Sequence, residues 1–440
     1  MGNTGYSNAY AAKLTTAEKA VSALADGETI SVGMAIGQPP ALLAALADRV
    51  RAGTLRYLTL YYKIAMEPLA NSLLAEGVVE QIDARSFFVA GPDHALIKRG
   101  VATGHKLLSF VPVNFSQLPR LFEEVIALDT FVVTVSPMDA GGFFSLGTNN
   151  DFASTAARSC KRLIVEVNRA MPRVFGQSQI HVSEVAAIIE NHVPLIEAGV
   201  AEPSPEGLAI GHLIAPMVPN GATIQLGIGR VPSGVALALA RHEDLGIHTE
   251  LFSPVMADLV RKGVVTGKRK TLHPRKHVFT VAFGTEDSYA FMNDNASMES
   301  YASSYVNDVR TIAQHDDFIS INTAIEIDLY GQVNAEFIGE HEYSGSGGQF
   351  DFVKGASLSK GGKSIIAIQS TARKGAVSAI VPKVGMVTDE RMDVEYVVTE
   401  HGVVNLRGKS TKQRAEALIS IAHPSFREEL TAAARKVILI

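Results

Sequence analysis

The stretch Asn220–Lys268 reads NGATIQLGIGRVPSGVALALARHEDLGIHTELFSPVMADLVRKGVVTGK. Asn220-Gly221 is a turn signal, and the apolar run behind it ends in Gly227-Ile228-Gly229. Val231 to Arg241 has helical character, and the short run Leu245 to Thr249 delivers Glu250. Strand, glycine turn, helix and strand make a βαβ unit, whose ligands lie beyond the carboxyl ends of its strands. The glycine loop and Glu250 are therefore expected at the same end of a sheet, with backbone N–H groups facing a carboxylate.

The same opening occurs earlier. Asp26-Gly27-Glu28-Thr29-Ile30-Ser31-Val32-Gly33 returns 194 residues later as Asn220-Gly221-Ala222-Thr223-Ile224-Gln225-Leu226-Gly227. Pro39-Pro40-Ala41-Leu42-Leu43 has its counterpart in Pro232-Ser233-Gly234-Val235-Ala236, and Gly77-Val78-Val79 in Gly263-Val264-Val265. The buried-strand patterns Arg162 to Val167 and Lys363 to Ile368 continue the series, as does Asp151-Phe152 with Asp351-Phe352. A match order preserved over so much of the chain predicts two similar open α/β domains from an internal duplication. The seam is expected in AGVAEPSPEGLAIG, Ala198 to Gly211, where Pro, Gly and Glu interrupt apolar periodicity, leaving domains over residues 1–200 and 211–440. Ile180 to Glu197 is expected to close the first half with a strand and a helix. Val394 to Leu430 is expected to add a strand, Val394 to Thr399, and helical tails to the second.

Only the second copy is equipped for chemistry. Aligned through Gly77 and Gly263, the position of Glu250 falls on Ile64, which carries no charge, and the loop Gly345-Ser346-Gly347-Gly348-Gln349 corresponds to Ser145-Leu146-Gly147-Thr148-Asn149, with a single glycine.

Composition narrows the function classes. The 440 residues are 47% hydrophobic and 19% charged, enough for two or three packed domains. A formal charge of −5 argues against nucleic acid or an anionic membrane as partner. Cys160 is the only cysteine, so no intrachain disulfide can form, which fits a reducing, cytoplasmic setting. The opening MGNTGYSNAYAAKLTTAEKA lacks the basic-then-apolar pattern of a signal peptide, Tyr6 stands where a myristoylation pattern needs Ser or Thr, and no run is long enough to span a membrane.

Taken singly, the motifs stay ambiguous. Gly227-Ile228-Gly229 before a helix, with an acid about 20 residues on, imitates a dinucleotide fingerprint, but Pro232 stands at the third glycine. The loop is open to three readings: a nucleotide site, a structural turn, or a set of donors for developing negative charge. GSGGQFDF, Gly345 to Phe352, is either a flexible turn or a second donor loop. Glu250 is either a salt-bridged surface carboxylate or a nucleophile for acyl chemistry. His273 and His277 flank Pro274 without an acidic co-ligand, so they read as part of a solvated basic loop with Lys268, Arg269, Lys270, Arg275 and Lys276 rather than a metal site. Glu286-Asp287 and Asn293-Asp294-Asn295 have no regular ligand spacing and read as a loop. No metal ligand set is assigned, and Cys160 reads as a core or helix-face thiol.

Together, GIGRVPSGV, LGIHTELFS, SINTAIEIDLYGQVNAE, SGSGGQFDFVKGA, GGKSIIA, VVTEHGVVNLRGKS and AHPSFR resemble the acetyl-CoA hydrolase/transferase branch of the class I coenzyme A transferases, over nearly the whole chain. The resemblance implies a CoA-transferase-like fold in both halves. It also implies a ping-pong transfer in which Glu250 becomes a glutamyl-CoA thioester. Gln225, Leu226, Gly227, Ile228 and Gly229 would form one wall of the CoA site, with further CoA contacts at Ile325, Gly348 and Lys374. Oxyanion donors would be the amides of Ile228, Gly347 and Gly348. Met34, Gln38 and Lys63 in the first half would line the acyl pocket, Met34 suiting an aliphatic chain and Gln38 or Lys63 a second carboxylate. Acetyl- or succinyl-CoA would be the donor, with 4-hydroxybutyrate, butyrate or a diacid such as itaconate as acceptor. No tightly bound cofactor is implied, and members of the family assemble as homo-oligomers. The competing expectations are an acyl-CoA hydrolase using the same glutamate and, more distantly, a dinucleotide-binding protein.

Overall fold

A computed structural model describes residues 5–440. The chain divides into two units, one of residues 1–198 and 280–305, the other of residues 199–279 and 306–440. The segment Thr280–Tyr305 belongs to the first unit, although it lies within the span 211–440 expected to form the second half.

In the first unit seven strands form one sheet: β1 (Thr29–Val32), β2 (Thr59–Tyr62), β3 (Asp83–Ser86), β4 (Ser109–Phe110), β5 (Thr130–Val135), β6 (Arg162–Val167) and β7 (Ala187–Glu190). Their order is β7-β6-β5-β1-β2-β3-β4, and every pairing is parallel. A parallel sheet covered on both faces needs unbroken apolar strands, and TFVVTV of β5 is buried at all six positions. The helix α1 (Pro40–Arg51) starts on a proline, whose fixed φ suits a first turn, and buries Leu42, Leu43, Leu46 and Val50 at helical spacing. Its first amides are capped from a distance: Glu166 on β6 accepts from Ala41 N and Leu42 N, both at 3.0 Å. Residues 191–204 after β7 are irregular, so the expected closing helix of Ile180 to Glu197 does not form. Pro194, Gly199 and Pro203 interrupt helical continuity across this segment.

The second unit repeats the central pattern. The strands of its main sheet that follow this pattern are β8 (Thr223–Leu226), β9 (Gly246–Phe252), β10 (Phe318–Thr323), β11 (Lys363–Ala367), β12 (Tyr396–Thr399) and β13 (Gly402–Asn405). They run β13-β12-β11-β10-β8-β9, parallel except for the terminal β12–β13 hairpin. β8 sits between β9 and β10 as β1 sits between β2 and β5. Strand order thus reverses at β1 and at β8, and such a reversal opens a crevice at the carboxyl ends of the strands. The duplication expected from the sequence is present in the topology.

The predicted seam is only partly a linker. Pro205–Ile214 forms a helix, α2, capped by the Ser204 side chain on Gly207 N at 3.1 Å. It crosses α3 (Arg230–Ala238), the helix behind the glycine loop, at its glycines. A Cβ on Gly211 would stand 2.5 Å from the Gly234 carbonyl oxygen, and one on Gly234 would overlap Gly207. The glycines that read as breakers allow two backbones to approach, which is their other physical use.

Candidate active site

The second-half residues expected at the catalytic and CoA sites, Gln225 to Gly229, Glu250, Ile325, Gly347, Gly348 and Lys374, all belong to the second unit, whereas Glu286, Asp287 and Asn293 to Asn295 fall in the first. β8 ends at Leu226, and Gly227 donates to Ile321 O at 3.2 Å, still in the manner of the sheet. The chain then leaves the sheet. Ile228 and Gly229 are exposed, Gly229 at φ +113°, where a side chain would be strained. Among the described residues neither the Ile228 nor the Gly229 amide has an acceptor. Gln225 and Leu226 are buried within the strand. The Gln225 amide is matched reciprocally to Asn322 on β10, at 3.0 and 3.1 Å.

Glu250 lies near the end of β9, half-buried where its neighbours His248 and Thr249 are wholly buried. Its Oε2 accepts from Asn307 Nδ2 at 3.0 Å. Among the described residues it has no ion-pair partner, so the salt-bridged surface carboxylate is not its situation. The third member is Gly348, which precedes α4 (Gln349–Leu358). A Cβ on Gly348 would overlap both Glu250 Oε2 and Asn307 Nδ2. The bare Cα of Gly348 therefore packs directly against the carboxylate and its amide partner. Gly347 before it has φ +53°, a conformation that glycine adopts without cost. Neither Gly347 N nor Gly348 N has an acceptor among the described residues. The structure thus joins one carboxylate, one amide side chain and the backbone of a glycine turn.

Ile325 stands between β10 and the strand Glu326–Asp328, half-buried, its N–H on Asn334 O at 2.9 Å. Lys374 is exposed at the tip of a hairpin beyond β11, at φ 59° and ψ 38°, next to Arg373, also left-handed. The acyl-pocket candidates fall in the first unit, at the carboxyl ends of β1 and β2. Met34 is buried. Gln38 is engaged with backbone, its Nε2 on Ile64 O at 3.0 Å and its Oε1 accepting Met66 N at 3.1 Å, so its amide shapes the turn after β2. Lys63 is buried with its Nζ 2.8 Å from the Phe115 ring centroid.

Sheet register adjusts the repeat by one residue. Thr29 pairs with Thr59, and its counterpart Thr223 with Gly246. Counting four residues on from each partner sets Glu250 against Lys63, not Ile64. The first copy thus carries the opposite charge at the position of Glu250.

Asn307 was not singled out by the sequence reading. It lies in SYVNDVR, which has neither periodicity nor a recognised spacing to Glu250, 57 residues earlier. Two further expectations are corrected. Lys270 is not on an exposed charged face: it is buried, its Nζ on Ile247 O at 2.8 Å and Lys276 O at 2.7 Å, where its chain lies over Gly246. His277 is buried too, its basicity lowered by desolvation to a pKa of about 4. Glu286 and Asp287 begin a helix, Glu286–Met292, capped by Thr285, rather than lying in a loop. Their charges suit a helix N-terminus. Burial raises the Cys160 thiol to about 11, which is no state for a nucleophile. Among the described residues no three His, Cys, Asp or Glu side chains are grouped as metal ligands, and no helix is long and apolar enough to cross a membrane.

The family models agree with the residue pattern. The acetyl-CoA hydrolase/transferase N-terminal domain matches residues 2–197 and the corresponding C-terminal domain residues 284–434. Over 425 residues the chain is 42% identical to the 4-hydroxybutyrate coenzyme A transferase of Clostridium kluyveri, covering 96% of this chain and 97% of that one. It is 38% identical to the succinyl-CoA:cyclohexane-1-carboxylate CoA transferase of Geobacter metallireducens, covering 98% and 97%. The crystal structure of RipA from Yersinia pestis superposes with a TM-score of 0.97 at 49% identity, over 99% of this chain and all of that one. With both halves matched by family models, and relatives aligned from end to end, the chain belongs to the acetyl-CoA hydrolase/transferase family.

Proposed function

We propose that the protein is a CoA-transferase that moves CoA from acetyl- or succinyl-CoA to a small carboxylic acid through a thioester on Glu250. The observation that carries this reading is the Glu250 carboxylate. It is half-buried, without an ion pair among the described residues, held through Oε2 by Asn307, and packed against the backbone of Gly348. An anionic oxygen oriented by a single neutral donor keeps its charge for nucleophilic use, which a carboxylate neutralised by Lys or Arg does not.

Oε1, the oxygen not bonded to Asn307, attacks the donor thioester carbonyl. The tetrahedral oxyanion collapses by breaking the C–S bond, leaving a mixed anhydride and CoA thiolate. The thiolate then attacks the glutamyl carbonyl, and the donor acid leaves as its carboxylate. Glu250 now carries CoA as a thioester. An acceptor carboxylate reverses the two steps, leaving as the new acyl-CoA and restoring the Glu250 carboxylate. Each oxyanion needs N–H donors, and the amides of Ile228, Gly347 and Gly348 are assigned that role. One such donor typically contributes ~10²–10³ in turnover. Gly227, Gly229, Ile325 and Lys374 are assigned to CoA, with Gln225 and Leu226 as the strand from which that wall springs. The acceptor in this reading is 4-hydroxybutyrate, butyrate or a diacid such as itaconate.

Glu250→Ala is expected to abolish transfer while leaving the fold intact, and activity within a few-fold of wild type would overturn the assignment. Borohydride added after acyl-CoA should reduce a glutamyl thioester on the Glu250 peptide; label on another peptide would move the nucleophile. Water in place of the second acid would make the enzyme a hydrolase. That reading predicts acyl-CoA consumption at the full rate without an acceptor, whereas transfer predicts consumption only when an acid is supplied.

A further inference from the structure

Beneath Glu250 lies a histidine pair that the transfer chemistry does not itself use. His248 precedes Glu250 by two residues on β9 and is wholly buried, as is His315. His248 Nε2 is 2.7 Å from Val306 O, and His315 Nε2 is 3.3 Å from His248 Nδ1. A carbonyl only accepts, so the proton lies on His248 Nε2. With that ring neutral, its Nδ1 is an acceptor and His315 Nε2–H is the donor. Desolvation lowers the basicity of both rings, that of His248 to about 3, so the neutral arrangement holds throughout the physiological range.

The pair is connected to both groups beside the carboxylate, each through one intervening residue. Val306, whose carbonyl it holds, is followed by Asn307, the residue bonded to Glu250 Oε2. The His248 ring also packs edge-on to Phe352 of α4, at 6.5 Å between centroids, and Phe352 N donates to Gly348 O. Ser359, just past α4, donates to His315 O at 2.6 Å. An apolar side chain would fill the space but would leave the buried Val306 carbonyl without this donor.

We propose that His248 and His315 form a positioning pair that fixes the Val306–Asn307 peptide, and through Asn307 sets the attack geometry of Glu250. The proposal rests on Glu250 being the nucleophile. Its signature is a loss in kcat with substrate binding preserved, because Asn307 is bonded to the attacking carboxylate and is not among the residues assigned to CoA.

The test compares His248→Phe, which keeps the ring but loses the donor, with His248→Gln, whose Nε2–H can reach the Val306 carbonyl. His248→Phe is expected to lower kcat by on the order of 10–100-fold with KM for acyl-CoA within about three-fold, as for a small misplacement of a reacting group. His248→Gln is expected to restore most of that loss. Wild-type kcat in His248→Phe, or equal losses in both variants at equal melting temperature, would overturn the proposal. If His248→Phe does not fold, His315→Leu serves instead: a kcat-only loss supports the pair, and unchanged kinetics overturns it. Glu250→Ala assayed in parallel separates the two claims. An inactive Glu250→Ala beside a fully active His248→Phe removes the histidine proposal alone, while an active Glu250→Ala removes the nucleophile reading.

Discussion

Replacing Gly348 by valine places a branched side chain where Glu250 Oε2 and Asn307 Nδ2 already meet. Turnover is expected to fall by roughly 10²-fold, since reacting groups displaced by about 1 Å lose that much; steady-state kinetics with unchanged kcat would leave the turn merely structural. A second residue-scale expectation concerns Asp389, which lies buried and accepts from Gln349 Nε2, the first residue of α4, at 2.7 Å. Burial pushes its carboxyl up to about 7, with Glu336 and Asp393 adding to the effect and Gln349 opposing it. Its ordinary value is about 3.9, so between about pH 4 and pH 7 the folded chain binds the proton that the unfolded chain releases. Stability from this group therefore falls as pH rises through that window. Asp389→Asn, which keeps an acceptor for Gln349, should raise the melting temperature at pH 8 and change it little at pH 4. An equal shift at both pH values would show that the carboxyl is not the cause.

At the scale of elements, the crossing of α2 and α3 supports the helix that begins at the glycine loop. Alanine at a helical glycine normally gains about 0.5–1 kcal/mol from backbone entropy. At Gly211 the added Cβ would stand 2.5 Å from the Gly234 carbonyl oxygen, and overpacking of this kind typically costs about 1–3 kcal/mol. Gly211→Ala is expected to destabilise on balance, read as a lowered denaturant midpoint with an unchanged slope. A stabilised variant would show that the helices yield readily. Much of the element scale was legible beforehand. The β8 run, the glycine turn, the following helix and the strand carrying Glu250 are local patterns, and each forms near its expected place. The helix at Pro205–Ile214 was not legible, because glycine weakens an isolated helix and yet permits close packing. Only the presence of α3 decides which effect prevails.

For the whole molecule, the CoA contacts assigned to the glycine loops should survive loss of the nucleophile. Glu250→Ala is expected to be stabilised by CoA in a thermal shift assay, by ~2.7 kcal/mol at a hundred-fold excess over Kd. No shift at saturating CoA would detach those loops from CoA binding. The duplicated topology is itself a whole-molecule property that the sequence announced, since the repeated order of turns, helices and strands recurs as the same strand order around β1 and β8. The repeat aligned through its glycines was off by a single step of register: the pairing of β1 with β2 and of β8 with β9 sets Lys63, and not Ile64, against Glu250.

The sequence by itself determined the α/β class, the duplication, the glycine turns and the position of Glu250, because short-range periodicity and turn chemistry are written within one or two elements. The tertiary structure alone decided that Asn307 would orient Glu250, that Gly348 would pack against both, that Lys270 would turn inward, and that His315 would meet His248. Each of these joins groups from segments well separated along the chain. Hydrogen bonds and close contacts depend on where those elements return in space, and no local pattern of residues encodes that distance.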